Sequence, residues 1–144
     1  MKIIILLFYF LFLSNNSFAD NLIEKRKVWI NSNLINENAN CYSYYSIKEQ
    51  KLNNKTDFKD IKIAFTKNVF ALGKEINIKD ESLFSKVKSN FEILKKEMNN
   101  DYNNFVKLEL RFENFCKKLL NKPQERLVYW KNKSPESFKL QYRN

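Results

Sequence analysis

Two carboxylates are the first residues in this sequence whose spacing could allow them to bind a metal ion or activate a water molecule. Glu109 and Glu113 are four residues apart, so on a helix both carboxylates could face one ion or one water molecule. Metal sites in helical bundles usually add histidine or carboxylates from other helices, and neither can be assigned here. Lys117 follows Glu113 by four residues, the order that favours ion pairs on a helix surface. We therefore expect exposed ion pairs at these positions and no metal site.

Absent residue types exclude several classes of enzyme. The chain of 144 residues contains no histidine, so it cannot build a Ser-His-Asp or Cys-His catalytic site, or bind zinc or haem through histidine. Gly73 is its only glycine, whereas a Walker loop and a dinucleotide-binding turn each need several. With two prolines, turn-forming residues are also too few for a β-sandwich or β-barrel. The sequence predicts one helical domain with no cofactor and no assignable catalytic residue.

The N-terminal residues have the pattern of a cleaved secretory signal peptide. Lys2 supplies a short positive start, residues 3–13 form an unbroken apolar run, and the small residues Ser17 and Ala19 precede a cleavage point. An apolar helix of this length extends roughly 16 Å, about half the hydrocarbon thickness of a membrane, which favours cleavage over an uncleaved anchor. We expect residues 1–19 to be removed. Residues 20–144 then form a single domain in the periplasm or outside the cell, without a transmembrane segment.

Export gives a meaning to the two cysteines, Cys41 and Cys116, which both lie in the exported part. An even number of cysteines in an oxidising compartment indicates a disulfide. The alternatives are two free buried thiols and a redox pair, but redox pairs usually lie close together as Cys-x-x-Cys. The separation of 75 residues favours a structural disulfide.

Three tyrosines beside the first cysteine are weak candidates for binding. Tyr42, Tyr44 and Tyr45 flank Cys41, and such a cluster could stack on a sugar or a peptide. Covering the disulfide is the simpler interpretation of the same cluster.

Basic residues give the chain a formal charge of +10. Short lysine pairs at Lys95–Lys96 and Lys117–Lys118 are weak candidates for binding an anionic polymer or lipid headgroups. However, 22 of the 26 basic residues are lysine and four are arginine, whereas proteins that read nucleic acid rely on arginine. The excess of lysine, asparagine, isoleucine and phenylalanine also fits an AT-rich genome. Nucleic acid is not a predicted partner.

Apolar residues recur with helical spacing along much of the exported part. The clearest stripe predicts a helix over residues 58–76, with Gly73 as the signal for its C-terminal end. A second stripe predicts helix over residues 80–120 and leaves open whether this is one long helix or two helices with a break at the polar residues 99–101. Pro123 then begins a short helix, because proline suits the first turn and not the interior.

The segments at the two ends are less regular. A helix is predicted over residues 21–35, but Asn36–Glu37–Asn38 has poor helix propensity, so either a bend or a continuous helix can follow. Residues 41–47 have β-propensity, yet apolar residues keep helical spacing across them and no partner strand is near. A last short turn carries Phe138 and Leu140.

These elements predict an all-α antiparallel bundle of four or five helices, stapled by one disulfide. Its core should be aromatic, and the residues expected there are Phe65, Phe84, Phe91, Phe105, Phe112 and Phe115. The same residues could instead line a cavity for a hydrophobic ligand, although core packing is the ordinary outcome for such a stripe.

Four short segments carry a resemblance to other proteins. Cys-Tyr-Ser-Tyr-Tyr at 41–45, Asn-Asp-Tyr at 100–102, Phe-Cys-Lys at 115–117 and Arg-Leu-Val-Tyr-Trp at 126–130 together resemble small secreted helical proteins of proteobacteria. The resemblance implies a periplasmic location and agrees with the cysteine pairing. It implies no activity and no catalytic residue.

Three functions remain compatible with the sequence. The first is a non-enzymatic protein that binds another macromolecule or serves as an accessory subunit. The second is a basic protein that binds an anionic polymer or lipid headgroups, and the third is a small enzyme acting through carboxylates or tyrosines. Lysines gathered on one face would favour the anionic surface, whereas an exposed apolar patch would favour a protein partner.

Overall fold

Five α-helices make up the fold, in a computed structural model that describes the backbone of residues 2–138 and the side chains of residues 20–138. The helices are α1 (Lys2–Lys51), α2 (Lys59–Glu75), α3 (Asp80–Glu97), α4 (Val106–Asn121) and α5 (Pro123–Lys133). Short 3₁₀ helices cover Tyr102–Phe105 and Glu136–Phe138. The backbone of residues 2–138 contains no strand, which confirms the all-α antiparallel bundle. The expected signal peptide at residues 1–19 and the position of Leu140 lie outside the described side chains. Within the described part, no helix combines the length and hydropathy of a membrane span.

The middle of α1 is the centre of the bundle, and each of the other four helices packs against it. Its buried residues lie on all sides of the helix rather than on one stripe: Ile30, Asn31, Leu34, Ile35, Glu37, Asn38, Ala39, Cys41, Ser43, Tyr44, Tyr45 and Ile47. A helix that is covered on all sides has no amphipathic period. For this reason the spacing of apolar residues predicts a helix less clearly in this segment than in α2.

The polar residues 36–38, predicted to weaken the helix, lie within a continuous α1. Each of their side chains hydrogen-bonds to a different surrounding helix. The partners are Asn90 on α3, Arg126 on α5 and Asn68 on α2. These tertiary hydrogen bonds outweigh the low helix propensity of the segment, so the alternative of a continuous helix is the correct one.

Asparagine ends three of the helices. Asn53, Asn77 and Asn99 follow α1, α2 and α3 and have φ angles of 51°, 56° and 55°. At each end the next residue donates its backbone N–H to the carbonyl five residues earlier, which is the Schellman arrangement. Asparagine tolerates this left-handed conformation better than most residues do. A chain with a single glycine can therefore still make three sharp helix ends.

Gly73 has a different role from the expected C-terminal signal. It lies inside α2 and is buried, and a Cβ atom at this position would approach the Cδ1 of Leu83 to 2.4 Å. The glycine lets α3 pack closely against α2, and the left-handed residue that follows the end of α2 is Asn77 instead.

The structure decides the question that the spacing left open, because residues 80–120 form two helices with a break at the polar residues 99–101. Asn99 and Asn100 both take positive φ, which ends α3, and the side chain of Asp101 then accepts a hydrogen bond from the backbone of Asn103 at 2.9 Å. A 3₁₀ turn leads into α4. The apolar stripe continues across the break because Met98 and Phe105 on its two sides are both buried.

Three of the six expected core phenylalanines, Phe65, Phe105 and Phe112, are fully buried. Phe91 and Phe115 are half-buried against the core. Phe84 contradicts the prediction, since it is 61% exposed while its neighbour Leu83 is buried. Adjacent apolar residues both fall within a broad helical stripe, so their spacing does not decide which one points inward.

The predicted disulfide between Cys41 and Cys116 is confirmed. It joins α1 to α4, its Cα atoms are 5.5 Å apart, and both cysteines are fully buried. The bond therefore ties the central helix to the C-terminal half of the bundle.

Candidate functional site

The paired carboxylates of α4 face a cation, and that cation is a lysine of the central helix. The Nζ of Lys48 lies 2.6 Å from Glu113 Oε2 and 3.5 Å from Glu109 Oε1. Lys117 contacts the other oxygen of Glu113 at 2.7 Å, as its spacing predicts, and the hydroxyl of Tyr44 donates to Glu113 Oε2. Within the described side chains, no group of three acidic or cysteine residues is arranged to hold a metal ion.

This ionic cluster keeps Glu113 and Tyr44 in fixed protonation states near neutral pH. Burial acts to raise the pKa of Glu113, but hydrogen bonds from Lys117, Lys48 and Tyr44 outweigh it and lower the pKa to about 2. Burial and the hydrogen bond to Glu113 raise the pKa of Tyr44 well above its ordinary value. The carboxylate stays ionised and the phenol stays neutral, so the cluster connects α1 to α4 and is poorly suited to proton transfer.

The tyrosines near the disulfide belong to the core. Tyr44 and Tyr45 are 0% and 2% exposed. The ring of Tyr44 packs on Phe105 and Phe112, and the ring of Tyr45 packs on Phe58 and Phe65. Their ring faces are therefore covered, which leaves none for a sugar or a peptide. Tyr42 is half-buried against the same core.

The two lysine pairs lie on different helices. Lys95 and Lys96 are on α3, where the Nζ of Lys95 lies 5.6 Å from the centre of the Phe91 ring. Lys117 is neutralised by Glu113. Lys118 lines a shallow hollow of about 480 Å³ with residues of α4 and α5. The basic residues of this hollow are Lys118, Lys122 and Arg126. Two of these three are already paired with carboxylates, so the hollow offers little net charge to an anion.

Four helices enclose a second and more distinctive depression, which we call the central groove. Helix α1 forms its floor, α2 forms one wall, and the end of α4 with the start of α5 forms the other. Its volume is about 500 Å³, within the range of ligand sites in proteins. The apolar residues that line it are Leu34, Ala64, Ala71, Leu72, Leu119, Leu120, Pro123 and Leu127.

The local sequence explains the shape of the two walls. Ala64 and Ala71 are seven residues apart, so small side chains recur on the face of α2 that lines the central groove. On the other side, Lys122 alone separates α4 from α5. Pro123 fits the first turn of α5, where its missing N–H needs no partner. The tight turn brings Leu120 and Leu127 to the same wall.

Asparagines supply the polar part of the floor. Asn31 donates from Nδ2 to Glu75 Oε2 at 2.9 Å, and Asn68 donates from Nδ2 to Asn38 Oδ1 at 3.1 Å. Asn38 in turn donates to the backbone carbonyl of Leu34 at 2.8 Å. The two pairs join antiparallel helices α1 and α2 at points about two turns apart. The floor is therefore held in place before any ligand arrives.

Charge is almost absent from the central groove. Glu75 is the one charged residue among the described residues that line it. Most of the 26 basic residues of the chain lie within residues 20–138, and none of those lines this depression. It can therefore accept apolar, neutral or cationic groups without burying an uncompensated charge of its own.

The candidates chosen from the sequence include none of these groove residues. A signal exists in the spacing, because Asn31 and Asn38 lie seven residues apart on one helix, and Asn68 and Glu75 repeat that spacing on the next. Polar residues two turns apart within an apolar stripe are typical of buried hydrogen-bonded positions. Which helix supplies each partner depends on the packing and not on the spacing.

Comparison with known proteins gives the chain no relatives. No protein-family model, no curated protein and no solved structure matches it, so the resemblance to small secreted proteins stays a prediction.

Proposed function

We propose that this protein is an exported, non-enzymatic accessory protein that binds an apolar segment of another protein in the central groove. One observation carries the proposal: the groove has leucine and alanine walls, and no lysine or arginine of residues 20–138 lines it, although the chain is strongly basic. Concave sites that are mostly apolar, with a few polar groups at fixed positions, are typical of binding sites.

A helix is the segment that fits this shape. Helices of a bundle pack by placing an apolar face against neighbouring helices, and many partner helices bind grooves in the same way. The two asparagine pairs lie seven residues apart along α1, a rise of about 10 Å. The floor therefore accommodates about two turns of a bound helix.

Preorganisation supports binding at this place. Asn31 and Asn38 are buried and already hydrogen-bonded in the free protein. Because these side chains need no reordering, the entropic cost of binding a segment is reduced.

The ionic cluster supports a role without catalysis. Glu113 and Tyr44 are the carboxylate and the tyrosine most strongly perturbed among the described residues. Their mutual hydrogen bond and the salt bridges from Lys48 and Lys117 are used to join two helices. A general acid or base works best with a pKa near the working pH, which neither group has.

The signal-peptide pattern and the disulfide support an oxidising compartment, the periplasm or the cell exterior. Buried cysteines joined across two helices need such a compartment to form their bond and keep it. The resemblance to small secreted proteins agrees with this location.

Binding of an anionic polymer or lipid headgroups is the second candidate, supported by the many lysines without ion pairs. In the described part, five lysines form ion pairs, of the 22 in the chain. However, exposed lysines are present on every helix: Lys25, Lys67, Lys88, Lys107 and Lys131 are examples. This distribution favours a protein partner in the central groove over one anionic surface.

Site-specific photocrosslinking tests the proposed function. A photoreactive phenylalanine analogue replaces Ala71 or Leu127, which line the central groove, and Lys88 on the exposed surface of α3 serves as the control position. We expect both groove positions to crosslink one partner through the same apolar segment, and the control position to give no such product. Products that are the same at all three positions would contradict the proposal.

A binding measurement with the identified segment completes this test. Ala71→Trp should fill the groove from an exposed position and weaken binding roughly tenfold or more, as loss of a central contact does at other interfaces. Lys88→Trp adds the same side chain outside the groove and should leave the affinity unchanged. Equal affinities for the two variants would place the binding site elsewhere.

A further inference from the structure

The charge of the central groove is concentrated in the side chain of Glu75, which forms no ion pair with a described residue. Glu75 accepts a hydrogen bond from Asn31 on one carboxylate oxygen at 2.9 Å. In the described part of the chain no lysine or arginine lies within ion-pairing distance of it; the ion pairs there involve other acidic residues. The second oxygen, Oε1, is left for another donor.

Helix stability does not explain a carboxylate at this position. Glu75 is the last residue of α2, where the helix dipole presents its negative end. An acidic side chain there is unfavourable, whereas a basic one is stabilising. Lys74, its neighbour, is the residue that suits the helix end. The hydrogen bond from Asn31 instead holds the carboxylate at the groove.

Amide oxygens near Glu75 add further acceptors. Asn38 Oδ1 is occupied by Asn68, but the Oδ1 atoms of Asn31 and Asn68 accept no hydrogen bond from a described residue. Their orientation follows from the structure, because Asn31 must donate to a carboxylate and Asn68 must donate to an amide oxygen. Unused acceptors beside an unpaired carboxylate complement a group that is positively charged and rich in N–H donors.

We propose that the bound segment is an amphipathic helix that places a lysine or arginine against Glu75 and apolar side chains against the leucine walls. The inference rests on the proposed function of the central groove and specifies the chemistry of its partner. The basic residue lies at the end of the groove formed by Asn31 and Glu75. The apolar side chains lie along the remaining length, against residues such as Leu120 and Leu127.

Matched model peptides test this inference. The probes are fluorescein-labelled peptides of about twenty residues, above the length at which isolated helices are marginal in water, with an identical leucine and alanine face. They differ at one position, which is lysine in one peptide and glutamine in the other. Fluorescence anisotropy gives the ratio of the two dissociation constants for the wild-type protein, and for the variants Glu75→Gln and Glu92→Gln. Glu92 is an exposed acid on α3 outside the groove, so its variant removes the same charge elsewhere.

We expect Glu75→Gln to reduce the preference for the lysine peptide by about three- to fivefold, the upper part of the range for an exposed ion pair. Glu92→Gln should leave the preference unchanged, because Glu92 does not line the groove and the effect of an exposed charge elsewhere is screened by salt. The difference between the variants should shrink at high salt, where exposed charges are screened.

The outcomes separate the two proposals. Peptides that bind in a way blocked by Ala71→Trp, but with the same lysine preference in all variants, would overturn the charge pairing and leave the groove function standing. Peptides that do not bind, or that bind equally to the Ala71→Trp variant, would overturn both. A preference lost in both glutamine variants would show a general charge effect and also contradict the inference.

Discussion

Replacing Cys41 and Cys116 by alanine tests how far the bundle depends on the connection between α1 and α4. The disulfide closes a loop of 75 residues that contains all of α2 and α3. In the chain-entropy relation, a loop of this length stabilises the folded protein by about 4.5 kcal/mol at 25 °C, because it restricts the unfolded chain. Domains of this size are stable by about 5–15 kcal/mol, so the bond supplies a large part of the total.

Urea denaturation measures this contribution. We expect the free energy of unfolding of the double variant to fall by about 4–5 kcal/mol. The dependence on urea should become steeper, since the unlinked chain exposes more surface when it unfolds. Wild-type protein treated with a reductant is the matched control, because it loses the bond and keeps the volume of both side chains.

The two measurements distinguish chain entropy from packing. Agreement between the reduced wild type and the double variant would assign the loss to loop closure. A difference below about 1 kcal/mol between oxidised and reduced protein, with an unchanged urea dependence, would refute the reasoning. In that case the contacts of the central helix alone would hold α4 in place.

Three further predictions concern the central helix, a helix end and the ionic cluster. Arg126→Met leaves the buried carboxylate of Glu37 unpaired, so it should destabilise the fold by roughly 2–3 kcal/mol in urea denaturation. The control Arg111→Met breaks an exposed pair and should cost less than about 1 kcal/mol. Equal losses of stability in the two variants would contradict the burial argument. Asn77→Ala forces an alanine into the left-handed region and should lower stability by about 1 kcal/mol, whereas Asn77→Gly should not. Thermal unfolding compares the two variants, and equal melting temperatures would exclude a conformational role for Asn77. The pKa of Glu113 is about 2, below its ordinary value of 4.5, so the unfolded state binds more protons between these values and stability should fall as the pH drops from 4.5 to 2. Glu113→Gln should flatten this part of a curve of unfolding free energy against pH. An identical slope in both proteins would contradict a stabilising role for the ionised Glu113.

Helix content and the disulfide were predictable because their signals are local or compositional. The stripe over residues 58–76 has the helical period, and α2 covers most of it. The pairing of Cys41 with Cys116 followed from the presence of two cysteines in a chain with the sequence pattern of a signal peptide, and needed no knowledge of packing. The same kind of signal did not decide between Leu83 and Phe84, because both neighbours fit one broad apolar face.

The positions of the helix ends were hard to predict because asparagine, not glycine, occupies the left-handed position after three of the helices. Gly73 was expected to end α2, since glycine is the usual residue in the left-handed position. The chain uses Asn77 there, and uses Asn99 and Asn100 to separate α3 from α4. With 21 asparagines in the sequence, composition alone does not show which ones take positive φ, because the choice depends on where the next helix packs.

The sequence by itself determined an all-α bundle, its disulfide and the pattern of export, because hydrophobic period, cysteine number and the N-terminal segment act over short distances or through composition. Only the tertiary structure decided what the polar residues of α1 do. Asn31, Glu37 and Asn38 look like weak points in a helix until α2 and α5 bring their partners to them. The central groove exists for the same reason, because its floor, its walls and its carboxylate come from segments far apart in the chain. The spacing of apolar residues along one helix contains no information on which other helix will lie beside it.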